Sequence, residues 1–217
     1  MDSTHPQHRF WAWFKENHHP YLHYLEASTK EQHRLKAILL ERLHVHCEHL
    51  SFEIIENMDD PRLIFAITTN GNPDYFEDAE AVVDHAPYEM EEWDFYNLIP
   101  PWGYYAAPVG YYYCNIALII DQIWFKPIHH PGDPSILAFT IYLKFYKKRH
   151  HNLPYLRQAV KELLFKYIGE ECFALDLRYF EIAQLPRRPE KKGIKELYNL
   201  NTYIDWHKTK KLKYSEN

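Results

Sequence analysis

The stretch RLIFAITTNGNPDYFEDAEAVVDHAP, residues 62–87, is the most informative about the fold because it contains the patterns of a strand, a tight turn and a helix in succession. Residues 62–70 are apolar at both odd and even positions, which is typical of a strand buried on two faces. Gly71 permits a tight turn, Asn72 can cap a helix, and Pro73 suits the first helical position. An apolar helical face follows, formed by Phe76, Ala79, Val82, Val83 and Ala86. We therefore predict a strand that leads directly into an amphipathic helix.

The elements on either side of this stretch complete a ββαβ unit. Residues 49–57 alternate in polarity and predict a strand before it, and residues 93–99 predict a strand after it. The same order recurs downstream, with strands at 115–127 and 136–148, a helix at 153–168 and a strand at 176–186. The recurrence is one of elements only, because no repeat of individual residues accompanies it.

Five segments follow from this order of elements. They are N-terminal helices at 1–45, a first ββαβ unit at 46–100, an aromatic link at 101–114, a second ββαβ unit at 115–186, and a C-terminal helix with a basic tail at 187–217. We predict that residues 1–217 form a single α+β domain with two N-terminal helices, in which the strands build a mostly antiparallel sheet and helices pack on one face.

The composition favours a cytoplasmic protein. No apolar run approaches the roughly 20 residues that span a bilayer, and residues 1–10 lack the basic and apolar regions of a signal peptide. The three cysteines, Cys47, Cys114 and Cys172, are odd in number and far apart in sequence, which is typical of a reducing compartment. We expect no membrane association.

Charge is distributed unevenly along the chain. The formal net charge is −5, yet no Lys or Arg occurs between Leu63 and Phe125, and nine Asp and Glu lie between Asp74 and Asp94. The C-terminal third is basic and contains KTKKLK at 208–213. The acidic helix, with Asp74, Glu77 and Asp78 in its first turns, is either a contact surface or a solvated face.

The link PPWGYYAAPVGYYYC, residues 100–114, is rich in aromatic side chains. The candidate binding residues are Trp102, Tyr104, Tyr105, Tyr111, Tyr112 and Tyr113. Tyr and Trp bury a large area at low entropic cost, which favours their use at interfaces. The alternative is that the link covers the apolar surface of the sheet. The absence of positive charge in the link argues against nucleic acid as its partner.

The run HVHCEH, residues 44–49, resembles in its spacing the histidine runs of metal-dependent hydrolases. His44, His46 and His49 are therefore candidate metal ligands. Neither a helix nor a strand would bring all three together, so we interpret the run as a junction between a helix and a strand. Two further pairs, His129/His130 and His150/His151, lie near opposite ends of one predicted strand.

Four carboxylates are candidate catalytic residues. Asp121 interrupts an apolar strand, Glu53 lies in another strand, and Glu170 and Glu171 follow a helix. Two of them in one cleft could perform acid–base catalysis, whereas a solvent-exposed Asp121 could not. The sequence lacks the G-x-S-x-G motif of serine hydrolases and, with six glycines, lacks a phosphate-binding loop.

Two blocks of the chain resemble a group of uncharacterised bacterial proteins, a domain of unknown function. In the first block, which starts at LIFAITTNGNPDYFEDAEAVVDHAP, the matching positions are Thr69, Gly71, Phe76, Val82, Ala86, Pro87, Trp93, Phe95 and Pro100. In the second, LLFKYIGEECFALDLRYFEIAQLP, they are Ile168, Gly169, Glu170 and Glu171. The resemblance spans roughly residues 10–206 and implies a shared fold in a bacterial protein, without an activity.

These observations favour a non-enzymatic binding protein that uses the acidic helix and the aromatic link as its contact surface. An inhibitor or immunity-like protein is one form of this function, because an acidic face suits a basic partner. The partner would be another protein or a second copy of the chain, and we expect no cofactor. The alternative is a metal-dependent hydrolase that uses Asp121 or Glu170 with a histidine-bound metal.

Overall fold

The computed structural model describes residues 6–57, 60–102, 110–130, 133, 136–146 and 153–215, without the side chains of residues 6, 7 and 211–215. The chain has an α+β fold, as predicted, and separates into two compact units, Met1–Pro100 (unit 1) and Pro101–Asn217 (unit 2). The boundary coincides with the predicted start of the aromatic link. The prediction that the whole chain forms a single domain stays a prediction.

Unit 1 consists of three helices followed by a ββαβ unit. The helices are α1 (Pro6–Asn17), α2 (His19–Leu22) and α3 (Thr29–Leu43), and the ββαβ unit comprises β1 (Ser51–Glu56), β2 (Leu63–Thr68), α4 (Phe76–Val83) and β3 (Trp93–Asn97). Ser28 caps α3 by accepting a hydrogen bond from the backbone nitrogen of Glu31 at 3.3 Å. Strand β2 is central, antiparallel to β1 and parallel to β3.

The core of unit 1 lies on one face of this sheet. Phe65 on β2 pairs in register with Ile54 on β1 and with Phe95 on β3, so all three point to the same side. Helices α1, α3 and α4 cover that side, and their core side chains include Trp11, Phe14, Leu39, Ala79 and Val82. Each fully buried large apolar side chain stabilises the fold by about 1.5–3 kcal/mol.

Unit 2 contains a hairpin, a second ββαβ unit and a C-terminal helix. Its elements are β4 (Gly110–Tyr113), β5 (Ile116–Ile119), β6 (Ile123–Pro127), β7 (Leu137–Leu143), α5 (Leu153–Ile168), β8 (Leu177–Gln184), β9 (Lys195–Glu196) and α6 (Leu200–Ser215). Strands β4 and β5 pair with each other, and the main sheet has the order β8-β7-β6-β9. Strand β7 is antiparallel to β6 and parallel to β8.

The core of unit 2 is built like that of unit 1. Phe139 and Ile141 on β7 are fully buried and share one face with Phe125 on β6. The apolar face of α5 packs against them with Leu156, Ala159, Val160, Leu163, Leu164, Tyr167 and Ile168. Leu200 and Ile204 of α6 complete the same core.

The prediction of two consecutive ββαβ units is confirmed, and the strands formed by the described residues lie in three separate sheets. In each ββαβ unit the first two strands, β1 and β2 or β6 and β7, are antiparallel. The helix then connects two parallel strands, β2 and β3 or β7 and β8. The predicted strand at 115–127 is interrupted by a 3-10 turn at Ile120–Gln122, and part of the predicted link forms strand β4. Strand β4 pairs with the neighbouring strand β5 as a tight hairpin, from Tyr113 with Ile116 to Gly110 with Ile119.

Candidate functional site

The acidic helix follows directly from the turn after β2. Asn70 and Gly71 adopt positive φ angles of 56° and 79°, which reverse the chain. The side chain of Asn72 then accepts a hydrogen bond from the backbone nitrogen of Asp74 at 3.1 Å. Pro73–Tyr75 form one 3-10 turn, and α4 continues from Phe76. This local chemistry projects the polar side of α4 away from the core of unit 1.

The carboxylates of this segment lie on its outer side. Asp74, Glu77, Glu80 and Asp84 are exposed, and Asp78 is half-buried. No ion pair joins any of the five to a Lys or Arg in the part of the chain that the structure describes. We refer to Asp74, Glu77, Asp78, Glu80 and Asp84 as the α4 carboxylates.

Some carboxylates of unit 1, by contrast, pair with basic neighbours. Arg62 bridges Asp60 and Asp94, with nitrogen–oxygen distances of 2.8 and 2.6 Å. The Arg62 guanidinium, by its hydrogen bonds, lowers the pKa of Asp60 to about 2. Lys15 pairs with Glu89 at 2.7 Å. The α4 carboxylates therefore differ from these acids in having their charge directed to solvent.

The two units carry opposite charge. Unit 1 contains 7 Lys and Arg against 19 Asp and Glu, a formal charge of −12. Unit 2 contains 18 Lys and Arg against 11 Asp and Glu, a formal charge of +7. The net charge of −5 is therefore the small difference between two strongly charged halves.

The histidine run 44–49 lies in the loop between α3 and β1, and each imidazole has a separate partner. The Nε2 of His44 lies 3.0 Å from the carbonyl oxygen of Leu50, and that of His46 lies 3.2 Å from the carbonyl oxygen of Asp78. The ring of His49 stacks on Tyr75 at 4.0 Å. Among the described residues, no group of three His, Cys, Asp or Glu side chains is arranged to hold a metal ion. The metal-dependent hydrolase stays an alternative prediction.

The later histidine pairs are only partly described. His130 lies 2.9 Å from the hydroxyl of Tyr179 and is half-buried, whereas His129 is exposed. His150 and His151 lie outside the described residues. The contact with Tyr179 gives His130 a role in packing the loop before β7 against β8.

The aromatic link divides into covered and exposed side chains. Trp102, Tyr111 and Tyr113 are half-buried and pack against the core of unit 2. Trp102 lies 6.0 Å from the Tyr111 ring and 5.7 Å from the Lys166 ammonium. Tyr112 points outward on β4 with 77 % of its surface exposed. Tyr104 and Tyr105 lie outside the described residues.

The candidate acid–base carboxylates occupy four different environments. Asp121 is exposed in the 3-10 turn between β5 and β6, and Glu171 is exposed after α5. Glu53 is half-buried on β1 of unit 1, whereas Glu170 is fully buried in unit 2. An exposed Asp121 in a turn matches the solvent-facing alternative considered for it above.

A polar cluster that the sequence does not reveal surrounds Cys172. Residues Cys172–Asp176 form a π-helical turn between α5 and β8, and such turns occur often at functional sites. Asp176 pairs with Lys208 of α6 at 2.8 Å. Burial, above all, raises the pKa of the Cys172 thiol to about 12. The thiol is protonated at neutral pH, so this cysteine is not an activated nucleophile.

Two cavities of unit 2 are lined by basic and aromatic side chains. One, of about 460 Å³, lies between α5 and β8 and includes Arg157, Lys161, Arg178 and Phe180. The other, of about 300 Å³, lies beside α6 and includes Lys195, Tyr203 and Trp206. In unit 1 a cavity of about 480 Å³ is bordered instead by Glu91, Glu92 and Arg62. The net charge of the residues that line each cavity thus has the same sign as the charge of its unit.

No known family model, curated protein or solved structure matches the chain. In the described part of the chain, no helix has the length and apolar character that a bilayer span requires.

Proposed function

We propose that this protein is a non-enzymatic binding protein that engages a basic protein partner through the acidic helix α4. The observation that carries this proposal is the set of α4 carboxylates, five acids in 11 residues without an ion pair to a described Lys or Arg. Placing like charges together on one helix costs stability, by a few tenths of a kcal/mol for each neighbouring pair. A basic partner would relieve that cost.

The charge of the whole of unit 1 supports the same partner. A formal charge of −12 attracts a cationic surface from a distance and accelerates its association. Rim charges of this kind act on the rate of encounter and on the choice of partner more than on affinity. Binding through α4 would therefore weaken steeply as the salt concentration rises, since screening shortens the reach of the field to about 10 Å at 0.1 M.

An inhibitor or immunity-like protein is the form of this function that an acidic face serves best. Such a protein covers a basic active surface of its target and needs no catalytic group of its own. Within unit 2, Tyr112 faces outward on β4 and is an exposed aromatic side chain of the type found at interfaces.

We also propose that the chain shares its fold with the uncharacterised bacterial group that its two sequence blocks resemble. Several of the positions that match this group are core residues or turn glycines in the structure. Val82, Trp93 and Phe95 are core residues of unit 1, and Gly71 and Gly169 have φ angles of 79° and 82°. A cytoplasmic location belongs to the same proposal, supported by three free cysteines.

The test is a capture experiment with matched charge variants. The immobilised protein, a Glu77→Gln/Glu80→Gln/Asp84→Asn variant and a control Glu16→Gln/Glu41→Gln/Glu56→Gln variant are each exposed to lysate of the source cells and cross-linked. All six substituted side chains are exposed, so both variants should fold, which circular dichroism checks. We expect a basic protein to be retained by the wild type and the control and lost by the α4 variant. Equal retention by all three proteins would refute the role of α4.

A further inference from the structure

We propose that unit 2 carries a binding site for a small phosphate-bearing molecule in the cleft between α5 and β8. The cleft has a volume of about 460 Å³, within the range of roughly 300–1,000 Å³ that is typical of ligand pockets. Three cationic side chains line it, Arg157 and Lys161 from α5 and Arg178 from β8. This site lies in a different unit from α4 and is independent of the function proposed above.

Arg157 is held in position before any ligand arrives. Its Nη1 donates a hydrogen bond to the carbonyl oxygen of Phe180 at 3.1 Å, and its guanidinium carbon lies 4.6 Å from the centroid of the Phe180 ring. A guanidinium carries five N–H donors in a planar fork, so one bond to Phe180 leaves four for an anion. A pre-positioned fork loses little entropy on binding, which favours affinity.

Arg178 occupies an irregular position of the sheet. Leu137 of β7 pairs with Leu177 of β8, but the next residue, Ala138, pairs with Tyr179. Arg178 is therefore an extra residue in β8, at a β-bulge. Bulges turn a side chain away from the regular alternation and are frequent beside functional sites. Here the bulged residue is the arginine that lines the cleft from the sheet side.

The three cations have no opposing charge in the described structure. None of Arg157, Lys161 and Arg178 forms an ion pair with a described Asp or Glu. The nearest carboxylate along α5, Glu162, accepts a hydrogen bond from the neutral amide of Gln158 at 2.6 Å. Arg157 and Lys161 are four residues apart on α5, an arrangement that is unfavourable for like charges without an anion between them.

The lining of the cleft indicates the class of ligand. Three cations match the two or more negative charges of a phosphate or pyrophosphate group, and arginine forks fit phosphate oxygens in bidentate fashion. Phe173, Leu177 and Phe180 form an apolar wall beside them. A phosphate ester with a compact organic group would place its anion at the arginines and its apolar part on this wall. The formal charge of +7 on unit 2 favours the approach of such anions.

Isothermal titration calorimetry of the full chain with pyrophosphate and with AMP tests this site. We expect binding of at least one of them by the wild type at concentrations of about 1 mM or below. Replacing Arg178 with Gln should weaken binding about 10- to 100-fold, the effect of removing one hydrogen-bonded charge. The control is Lys191→Gln/Lys192→Gln, which removes two exposed charges of unit 2 that do not line the cleft and should bind like the wild type.

Three outcomes would overturn the proposal. They are the absence of binding by both ligands, equal affinity of R178Q and the wild type, and equal weakening in R178Q and the lysine control. A short single-stranded oligothymidine distinguishes the sources of phosphate. Binding of the oligonucleotide alone, with no response to pyrophosphate or AMP, would assign the cations to nucleic acid and refute a small-molecule site. The α4 variant, whose charges lie in unit 1, should bind pyrophosphate and AMP like the wild type.

Discussion

Units 1 and 2 share a ββαβ arrangement with the same strand directions, yet they differ in the sign of their charge. At the end of the parallel pair, the backbone nitrogen of Leu98 bonds to the oxygen of Ile67 in unit 1, and that of Leu185 bonds to the oxygen of Leu143 in unit 2. The formal charges are −12 and +7. The apolar pattern therefore sets the fold, while the charge of the surface can differ in sign between two units of the same arrangement.

The largest expected effect comes from the central strand of each unit. Phe65 on β2 and Ile141 on β7 occupy equivalent positions and are both fully buried. Phe65→Ala should lower the free energy of unfolding by about 3–5 kcal/mol and Ile141→Ala by about 2–5 kcal/mol, because each leaves a cavity. Urea unfolding followed by circular dichroism measures both.

The same two variants test whether the units form a single domain. In a single cooperative domain, either substitution lowers the midpoint of one common transition. Two separate transitions, of which F65A shifts only one and I141A only the other, would contradict the prediction of a single domain.

The three cysteine thiols should react at different rates because their burial differs. Cys47 reports the accessibility of a site in unit 1, and Cys114 and Cys172 report that of sites in unit 2. Cys114 is exposed, Cys47 is half-buried in unit 1, and Cys172 is buried in unit 2 with its pKa raised to about 12. At pH 8 the thiolate fraction of Cys172 is about a thousandfold below that of an ordinary thiol, so its labelling should be slower at least in that proportion. Mass spectrometry after timed alkylation measures the rates. Labelling of Cys172 as fast as Cys114 would contradict the burial of this turn.

A pH effect is expected in unit 1 from the buried imidazole of His18. Burial, with a smaller contribution from His19, lowers the pKa of His18 below its ordinary value of 6.5, and Trp93 donates its Nε1 hydrogen to His18 Nδ1 at 3.1 Å. As the pH falls below 6.5, the unfolded chain binds a proton that the folded His18 does not. The free energy of unfolding therefore decreases as the pH falls from 6.5 to the pKa of the folded His18. Below that pKa both states bind the proton, and this group changes the free energy of unfolding no further.

The His18→Gln variant is the control for this effect, because a Gln carbonyl can accept the hydrogen bond from Trp93 without titrating. Urea midpoints of the wild type and of H18Q, compared between pH 7 and pH 5, isolate the contribution of His18. Parallel curves for the two proteins would show that this imidazole does not contribute.

The smallest effects should come from the charges themselves. Glu80 and Asp84 are like charges four residues apart on α4 and its C-cap, and Arg157 and Lys161 are like charges four residues apart on α5. Glu80→Gln and Lys161→Gln should each raise stability by about 0.2–0.5 kcal/mol at low salt, and by less at 1 M salt, where charges are screened. Thermal unfolding at two salt concentrations measures the change. A loss of stability in either variant would mean that the charge has a stabilising partner.

Local patterns predicted the elements well because they depend on neighbours in the chain. Helix α5 spans Leu153–Ile168, the predicted range, since its apolar residues recur at the helical period over four turns. Helix α4 begins three residues later than predicted, because its first residues form a 3-10 turn at Pro73–Tyr75. The acidic character of α4 was equally visible, since charge is read directly from composition.

The α+β class, the order of elements and the uneven distribution of charge could all be read from the amino-acid sequence, because each depends on residues adjacent in the chain. Only packing shows which side chains of the link are covered, that the strands of the described residues lie in three sheets, and that Arg178 and Arg157 line one cleft. Those two arginines are 21 residues apart, on α5 and β8, and both line the cleft between these elements, with Arg178 at the bulge of the β7–β8 pairing. Contacts between distant segments depend on packing and register, which a local pattern does not contain.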